Sequence, residues 1–171
     1  MESESDCWDL SMELIQYRPI GIIHSPFDDL RDMPIQPVSA KGIAGTVEVM
    51  PDYTDGLKDI EGFSHIILVY HFHLSEGYSL EIKPFLDDKL RGVFSTRAPK
   101  RPNPIGVSVV RIDQVQGSTL SILDVDIANG TPLLDIKPYV PDFDSRSNIR
   151  IGWLSEKVHE AAAKRSDSRF K

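Results

Sequence analysis

Residues 105–127 read IGVSVVRIDQVQGSTLSILDVDI. Two β-rich runs, Ile105–Val115 and Leu120–Ile127, flank Gln116-Gly117-Ser118, a spacing that reads as a hairpin. Similar runs recur on either side of it. Arg18–Ser25 (RPIGIIHS) is short and β-rich. Gly42–Met50 (GIAGTVEVM) alternates, with Ile43, Val47 and Val49 on one face. Phe63–Leu74 (FSHIILVYHFHL) is long, apolar and aromatic, the pattern of a strand buried on both faces. Leu133–Tyr139 (LLDIKPY) is another strand, and Pro138 makes its end an edge or a bulge. Helical signals are few. Tyr53–Ile60 allows one or two turns, and Glu156–Arg165 reads as a terminal helix with Ser155 as its N-cap. Many short strands without helical crossovers predict a mainly β fold: a small barrel of antiparallel or mixed strands with a short C-terminal helix. The chain divides into a flexible acidic tail (1–16), a barrel domain (17–153) and a C-terminal helix and tail (154–171).

The length of 171 residues suits one domain with a sizeable core, and the 40% apolar and 26% charged composition is that of a soluble globular protein. The single cysteine, Cys7, rules out an internal disulfide and fits a cytoplasmic setting. No apolar run reaches the ~20 residues a membrane-spanning helix needs, and the acidic start does not read as a secretory signal. The net charge of −7 argues at first against a nucleic-acid partner. Five of the acids, Glu2, Glu4, Asp6, Asp9 and Glu13, lie in the first thirteen residues, and the rest of the chain carries only −2. Lys89, Arg91, Arg97, Lys100 and Arg101 fall within thirteen residues that hold no acid. A local basic patch can meet phosphate whatever the whole-chain sum; on charge alone it reads first as a solvated loop.

Gly92–Arg111 (GVFSTRAPKRPNPIGVSVVR) holds Pro99, Pro102 and Pro104, which fix φ at three places in six residues. The result is a stiff loop that holds Arg97 and Arg101 in set directions at little entropic cost. Arginine suits bidentate contact with carboxylate or phosphate, and Asn103 offers both donor and acceptor. Taken alone, the segment is a rigid turn with exposed cations. In Asp124–Tyr139 (DVDIANGTPLLDIKPY), strand alternation points Asp124 and Asp126 one way, and places Asp135, Lys137 and Tyr139 on a shared face. Asn129-Gly130-Thr131 is the tight turn between. Such a loop can bind a ribose or an amino-acid end, or form a polar rim with Asp–Lys pairing. His65, His71 and His73 share a strand face, but the first acid after His73 is Glu76, and these histidines read as pocket or core residues rather than metal ligands. No metal is assigned. No G-x-G-x-x-G follows a strand, so the common dinucleotide cradle is absent.

Together FSHIILVYHFH, FSTRAPKRPNPIGVSVV and NGTPLLDIKPYVP, in this order and spacing, resemble the TsaA-like, or TrmO, family of tRNA N6-threonylcarbamoyladenosine methyltransferases. Ser25-Pro26-Phe27, the Pro-rich stretch Met33–Val38 and DGLKDIEGFSH (55–65) fit as well, and the resemblance covers roughly residues 17–153. It implies a β-barrel enzyme that uses S-adenosyl-L-methionine (SAM). It also implies a homodimer with SAM near the subunit interface and tRNA as partner, with neither DNA nor a membrane involved. By position, SAM contacts fall on Gln36, Pro37, His73, Leu74, Arg97, Leu123, Asp124, Val125 and Asp126, with Gly130 and Thr131 as further motif positions. Lys100, Arg101 and Asn103 would face RNA. The substrate nitrogen is attached to a carbonyl and is a weak nucleophile, so its proton must leave during or before attack; Asp135 and Tyr139 are the candidate bases. Competing readings are a barrel that binds SAM, a nucleotide or RNA without reacting, a metal enzyme on the three histidines, and a SAM enzyme with another acceptor. The larger bacterial members carry an additional C-terminal domain, which this chain does not show.

Overall fold

Alternation of inward apolar and outward polar side chains over short strands favours antiparallel pairing, and a sheet that closes on itself leaves no unpaired edge. A computed structural model of the protein describes residues 14–31, 33–36, 39–160 and 165–167; most of the acidic tail lies outside them. Six strands close into an antiparallel barrel: β1 (Gly21–His24), β2 (Ala44–Val49), β3 (His65–His71), β6 (Ile105–Gln116), β7 (Thr119–Leu123) and β8 (Thr131–Pro138), in the order β1-β2-β7-β6-β3-β8 and back to β1. β4 (Glu81–Ile82) and β5 (Arg91–Gly92) form a small ribbon beside it. All pairings are antiparallel. Ile23, Val47, Ile66, Leu68, Val110, Leu120 and Leu133 are fully buried in the barrel interior.

Three details depart from the sequence reading. β3 buries one face only: Ile66, Leu68 and Tyr70 point inward, while His65, Ile67 and Val69 are half-buried on the outer wall. The expected strand over Leu120–Ile127 stops at Leu123, because Asp124 takes a left-handed backbone with φ 71°. That reversal switches the buried face, so Val125 and Ile127 plug the barrel mouth although Leu120 and Ile122 are the inward residues before it. Asp124 and Asp126 therefore do not share a direction. Finally, Gly152–Glu156 and Val158–Glu160 are 3-10 turns, with Ser155 inside the first rather than capping an α-helix; residues 161–164 lie outside the described set. Among the described residues the one α-helical turn is α1, Pro141–Asp144. Among the described residues no helix is long and apolar enough to cross a membrane.

Candidate functional site

One mouth of an antiparallel barrel collects the end of β3, the starts of β6 and β8, and the segment that follows β7. Here a cleft of about 1280 Å³ opens, walled further by the 30–36 and 84–103 loops and by the C-terminal segment. Ligand sites typically measure about 300–1,000 Å³, so the cleft is ample for one ligand and part of a second. Phe72, Leu74, Phe85 and Phe94 supply apolar wall. Gln36, His73, Arg97, Arg101, Asn103, Asp126 and Thr131 supply polar groups.

Asp126 sits where the barrel interior meets the cleft. Ser108, buried on β6, donates its hydroxyl to Asp126 Oδ1 at 2.7 Å, and Tyr70 OH lies 3.0 Å from Ser108 Oγ. Ser108 has one hydrogen, so when it serves an ionised Asp126 the Tyr70 hydroxyl is the donor to Ser108. Burial pushes the Asp126 carboxyl up to about 6, against the opposing pull of the Ser108 bond and the Arg97 charge. Burial also drives the Tyr70 phenol well above its ordinary range, so it stays protonated. The Tyr70 ring lies across Gly106: a Cβ there would stand 2.2 Å from Tyr70 Cε2 and 2.9 Å from Phe72 Cζ. Glycine at 106 is what lets the ring lie flat on β6.

Arg97 extends from the Pro-rich loop and donates to Gln36 Oε1 at 3.1 Å. Arg101 folds back on its own loop, its guanidinium 3.4 Å from the Thr96 carbonyl and 3.5 Å from that of Ala98. His73 Nδ1 is 3.3 Å from Thr131 Oγ1, whose hydrogen goes to the Ala128 carbonyl at 2.8 Å. Burial, and then the neighbouring His71, lower the His73 pKa, so the ring is neutral at physiological pH. Ser75 Oγ, on the cleft wall, is a buried side-chain atom with no hydrogen-bond partner among the described residues. A buried hydroxyl without a partner is costly unless something else supplies one.

Of the sequence candidates, Gln36, His73, Leu74, Arg97, Asp126 and Thr131 converge on this cleft, with Arg101 and Asn103 at its side. Leu123, Asp124, Val125, Gly130 and Lys100 are not among its lining residues, and Pro37 lies outside the described residues. Asp124 is fully engaged elsewhere: Arg111 Nε reaches Oδ2 at 2.6 Å, while Arg111 Nη2 and the Gly42 amide reach Oδ1 at 3.3 and 2.7 Å. Val125 is core. Gly130, with φ 76°, makes the turn into β8. Asp135 stands on the outer wall, its two oxygens taken by Lys137 Nζ at 2.7 Å and the Ile136 amide at 2.9 Å. Tyr139 lies at the opposite mouth, where its amide donates to the His65 carbonyl at 3.2 Å; eight residues of extended chain separate it from Thr131, roughly 25 Å. Among the described residues no three His, Cys, Asp or Glu side chains converge as a metal would require.

Sequence reasoning missed Tyr70, Ser108, Ser75 and Trp153. An inward polar residue on a strand is the signal for the first two, since Ser108 interrupts an apolar alternation. Trp153 is placed by contacts across the chain: its indole donates to the Ser95 carbonyl at 2.9 Å, and Arg91 sits 5.4 Å over its ring while its guanidinium holds Asp87.

Residues 22–145 match the tRNA-methyltransferase O N-terminal-domain family. A probable S-adenosyl-L-methionine-binding protein of Pyrococcus abyssi is 60% identical over 157 residues, covering 92% of this chain and 85% of its own. The tRNA (adenine(37)-N6)-methyltransferase of Mus musculus is 34% identical over 140 residues, 78% of this chain but 32% of the mouse protein. A crystal structure of TrmO from Pseudomonas aeruginosa superposes with a TM-score of 0.69 at 37% identity, over 82% of this chain and 62% of that one. The chain thus spans a little under two thirds of the bacterial structure and about a third of the mouse enzyme.

Proposed function

The chain belongs to the tRNA-methyltransferase O N-terminal-domain family, and from that premise we propose that it is a SAM-dependent tRNA methyltransferase, acting on N6 of the adenosine at position 37 and specifically on its threonylcarbamoyl form. The single observation that carries the reading is the coincidence, in one cleft, of the family's motif residues with the groups SAM needs. Arg97 offers its guanidinium to an amino-acid carboxylate, braced by Gln36. Ser75 Oγ is a buried hydroxyl awaiting a partner. Phe72 and Phe85 give apolar faces for an adenine ring and for the cationic sulfonium. The donor set and the cleft volume therefore fit the cofactor and leave space for a nucleoside. When bound, SAM supplies an electrophilic methyl group on a positively charged sulfur.

The protein's own groups do the rest. The stiff Pro-rich loop fixes Arg97, and closely spaced walls align an acceptor with the methyl donor. Lys100, Arg101 and Asn103 face the tRNA backbone beside the cleft. The active unit is a homodimer with the SAM site near the subunit interface. The test is calorimetric titration of the purified protein with SAM, followed by methyl transfer to tRNA. Binding at micromolar Kd is expected, with Kd rising at least about tenfold in Arg97→Ala from loss of a charge-assisted pair. A folded protein that binds no SAM, with or without tRNA, would overturn the reading.

A further inference from the structure

Three carboxylates near the family motifs are candidates for proton transfer, and their surroundings separate them. Both oxygens of Asp124 are occupied by Arg111 and the Gly42 amide. Both oxygens of Asp135 are occupied by Lys137 and the Ile136 amide, on the outer wall. Asp126 alone of the three lines the cleft, and only its Oδ1 accepts a side-chain hydrogen bond among the described residues. Its carboxylate also accepts a hydrogen bond from its own backbone amide, and it still lines the cleft. The carboxylate is also held from behind by a two-link chain, Tyr70 to Ser108 to Asp126, built entirely on barrel strands and the segment that ends β7. The one other carboxylate on the described cleft wall, Asp167, belongs to the C-terminal segment.

We propose that Asp126 is the catalytic base of the methyl transfer, with Ser108 and Tyr70 as its positioning residues. The inference rests on the methyltransferase reading above. The Asp126 carboxylate takes the proton from the acceptor nitrogen. The nitrogen's electron pair forms the bond to the methyl carbon, and the pair of the breaking carbon–sulfur bond returns to sulfur, so a neutral thioether leaves and Asp126 ends protonated. The charged and titratable groups whose fields reach Asp126 are Arg97 from the Pro-rich loop and Tyr70 from β3. Burial leaves the carboxylate basic enough to accept a proton, while the Ser108 hydroxyl, the Asp126 amide and, last, the Arg97 charge favour its ionised form.

Asp126→Asn keeps the shape and the Ser108 contact and removes the basicity. In the full chain, single-turnover transfer to tRNA carrying threonylcarbamoyladenosine should fall at least about 100-fold, the typical worth of general-base catalysis, while the SAM Kd by calorimetry changes less than about threefold. The wild-type rate should rise with pH through about 6 and then level, a limb the Asn variant lacks. Independently of turnover, carbon-13 carboxyl resonances should show one aspartate titrating near 6. That titration should be absent in Asp126→Asn and moved to higher pH in Ser108→Ala, because the hydroxyl bond favours the charged form. An Asn variant that keeps its rate within about threefold overturns the assignment. So does a rate loss that tracks a SAM affinity loss of about tenfold or more, which would make Asp126 a cofactor ligand. If wild type neither binds SAM nor labels tRNA, the methyltransferase reading fails and the inference with it; wild-type transfer retained beside an unaffected variant sinks the inference alone.

Discussion

A carboxylate held at a barrel mouth is a stability cost that only function explains, and the sign of that cost is measurable at Asp126. Its folded pKa stands above the ordinary 3.8, at about 6, so the native state binds the proton more tightly than the unfolded chain. Below 3.8 both states are protonated and the cost vanishes. As pH rises from 3.8 through 6 the native state loses relative stability, and above 6 the loss is complete. Asparagine carries no such cost. Asp126→Asn should therefore unfold at a higher temperature than wild type at pH 8, with the gap closing as pH falls through that window; thermal scans at several pH values read it directly. A variant less stable than wild type at pH 8 would mean that the Ser108 and Arg97 contacts outweigh desolvation. The neighbouring glycine makes the same point about placement: without the bare Cα of Gly106 the Tyr70 ring could not lie where its hydroxyl meets Ser108.

At the scale of elements, the decisive feature is the end of β7. Asp124 leaves the strand with φ 71°, and its side chain ties the turn at Gly42 to Arg111 on β6. That tie is what releases Asp126 into the cleft two residues later. Asp124→Ala removes the ion pair and the amide contact and places a residue less tolerant of the left-handed region there. We expect a loss of about 1–3 kcal/mol in urea unfolding, with SAM affinity changed less than about threefold because the side chain faces away from the cleft. The opposite pattern, normal stability and weak SAM binding, would return Asp124 to the cofactor. The same element shows where sequence stops informing. Strands β1, β2, β3, β6 and β8 were legible because their β-rich composition is written in side-chain identity, although the unbroken apolar run of β3 hid which face it buries. The reversal at Asp124 was not, since it is a backbone dihedral, and alternation carried past it puts Asp124 and Asp126 on one face. Arg97 was legible as a cation on a stiff loop and His73 as a pocket or core histidine, and the family motifs added Gln36 and a cofactor role, while Ser108 and Tyr70 look like ordinary members of an alternating strand until the register β3–β6 sets them side by side.

Across the whole molecule, the cleft is closed by residues far apart in the chain. The barrel supplies its floor, the Pro-rich loop one wall, and the C-terminal segment another. Trp153 binds the Ser95 carbonyl and lies under Arg91, while Arg165 donates to the Ser39 carbonyl and Ser166 exchanges hydrogen bonds with Met33 and Leu30. The terminal segment thus braces both loops that carry the cofactor candidates, Arg97 on one side and Gln36 on the other. None of these contacts adds to the barrel core, which is complete without them. Trp153→Ala should accordingly separate binding from stability. Losing the indole contact and the cation–π pair frees the 91–97 loop, and ordering it again on binding costs about 1 kcal/mol or more. SAM affinity should drop about fivefold to tenfold by calorimetry, while the urea midpoint of the barrel moves little. If instead affinity holds and the midpoint falls, the segment is a clamp on the fold, and the walls of the cleft are rigid without it.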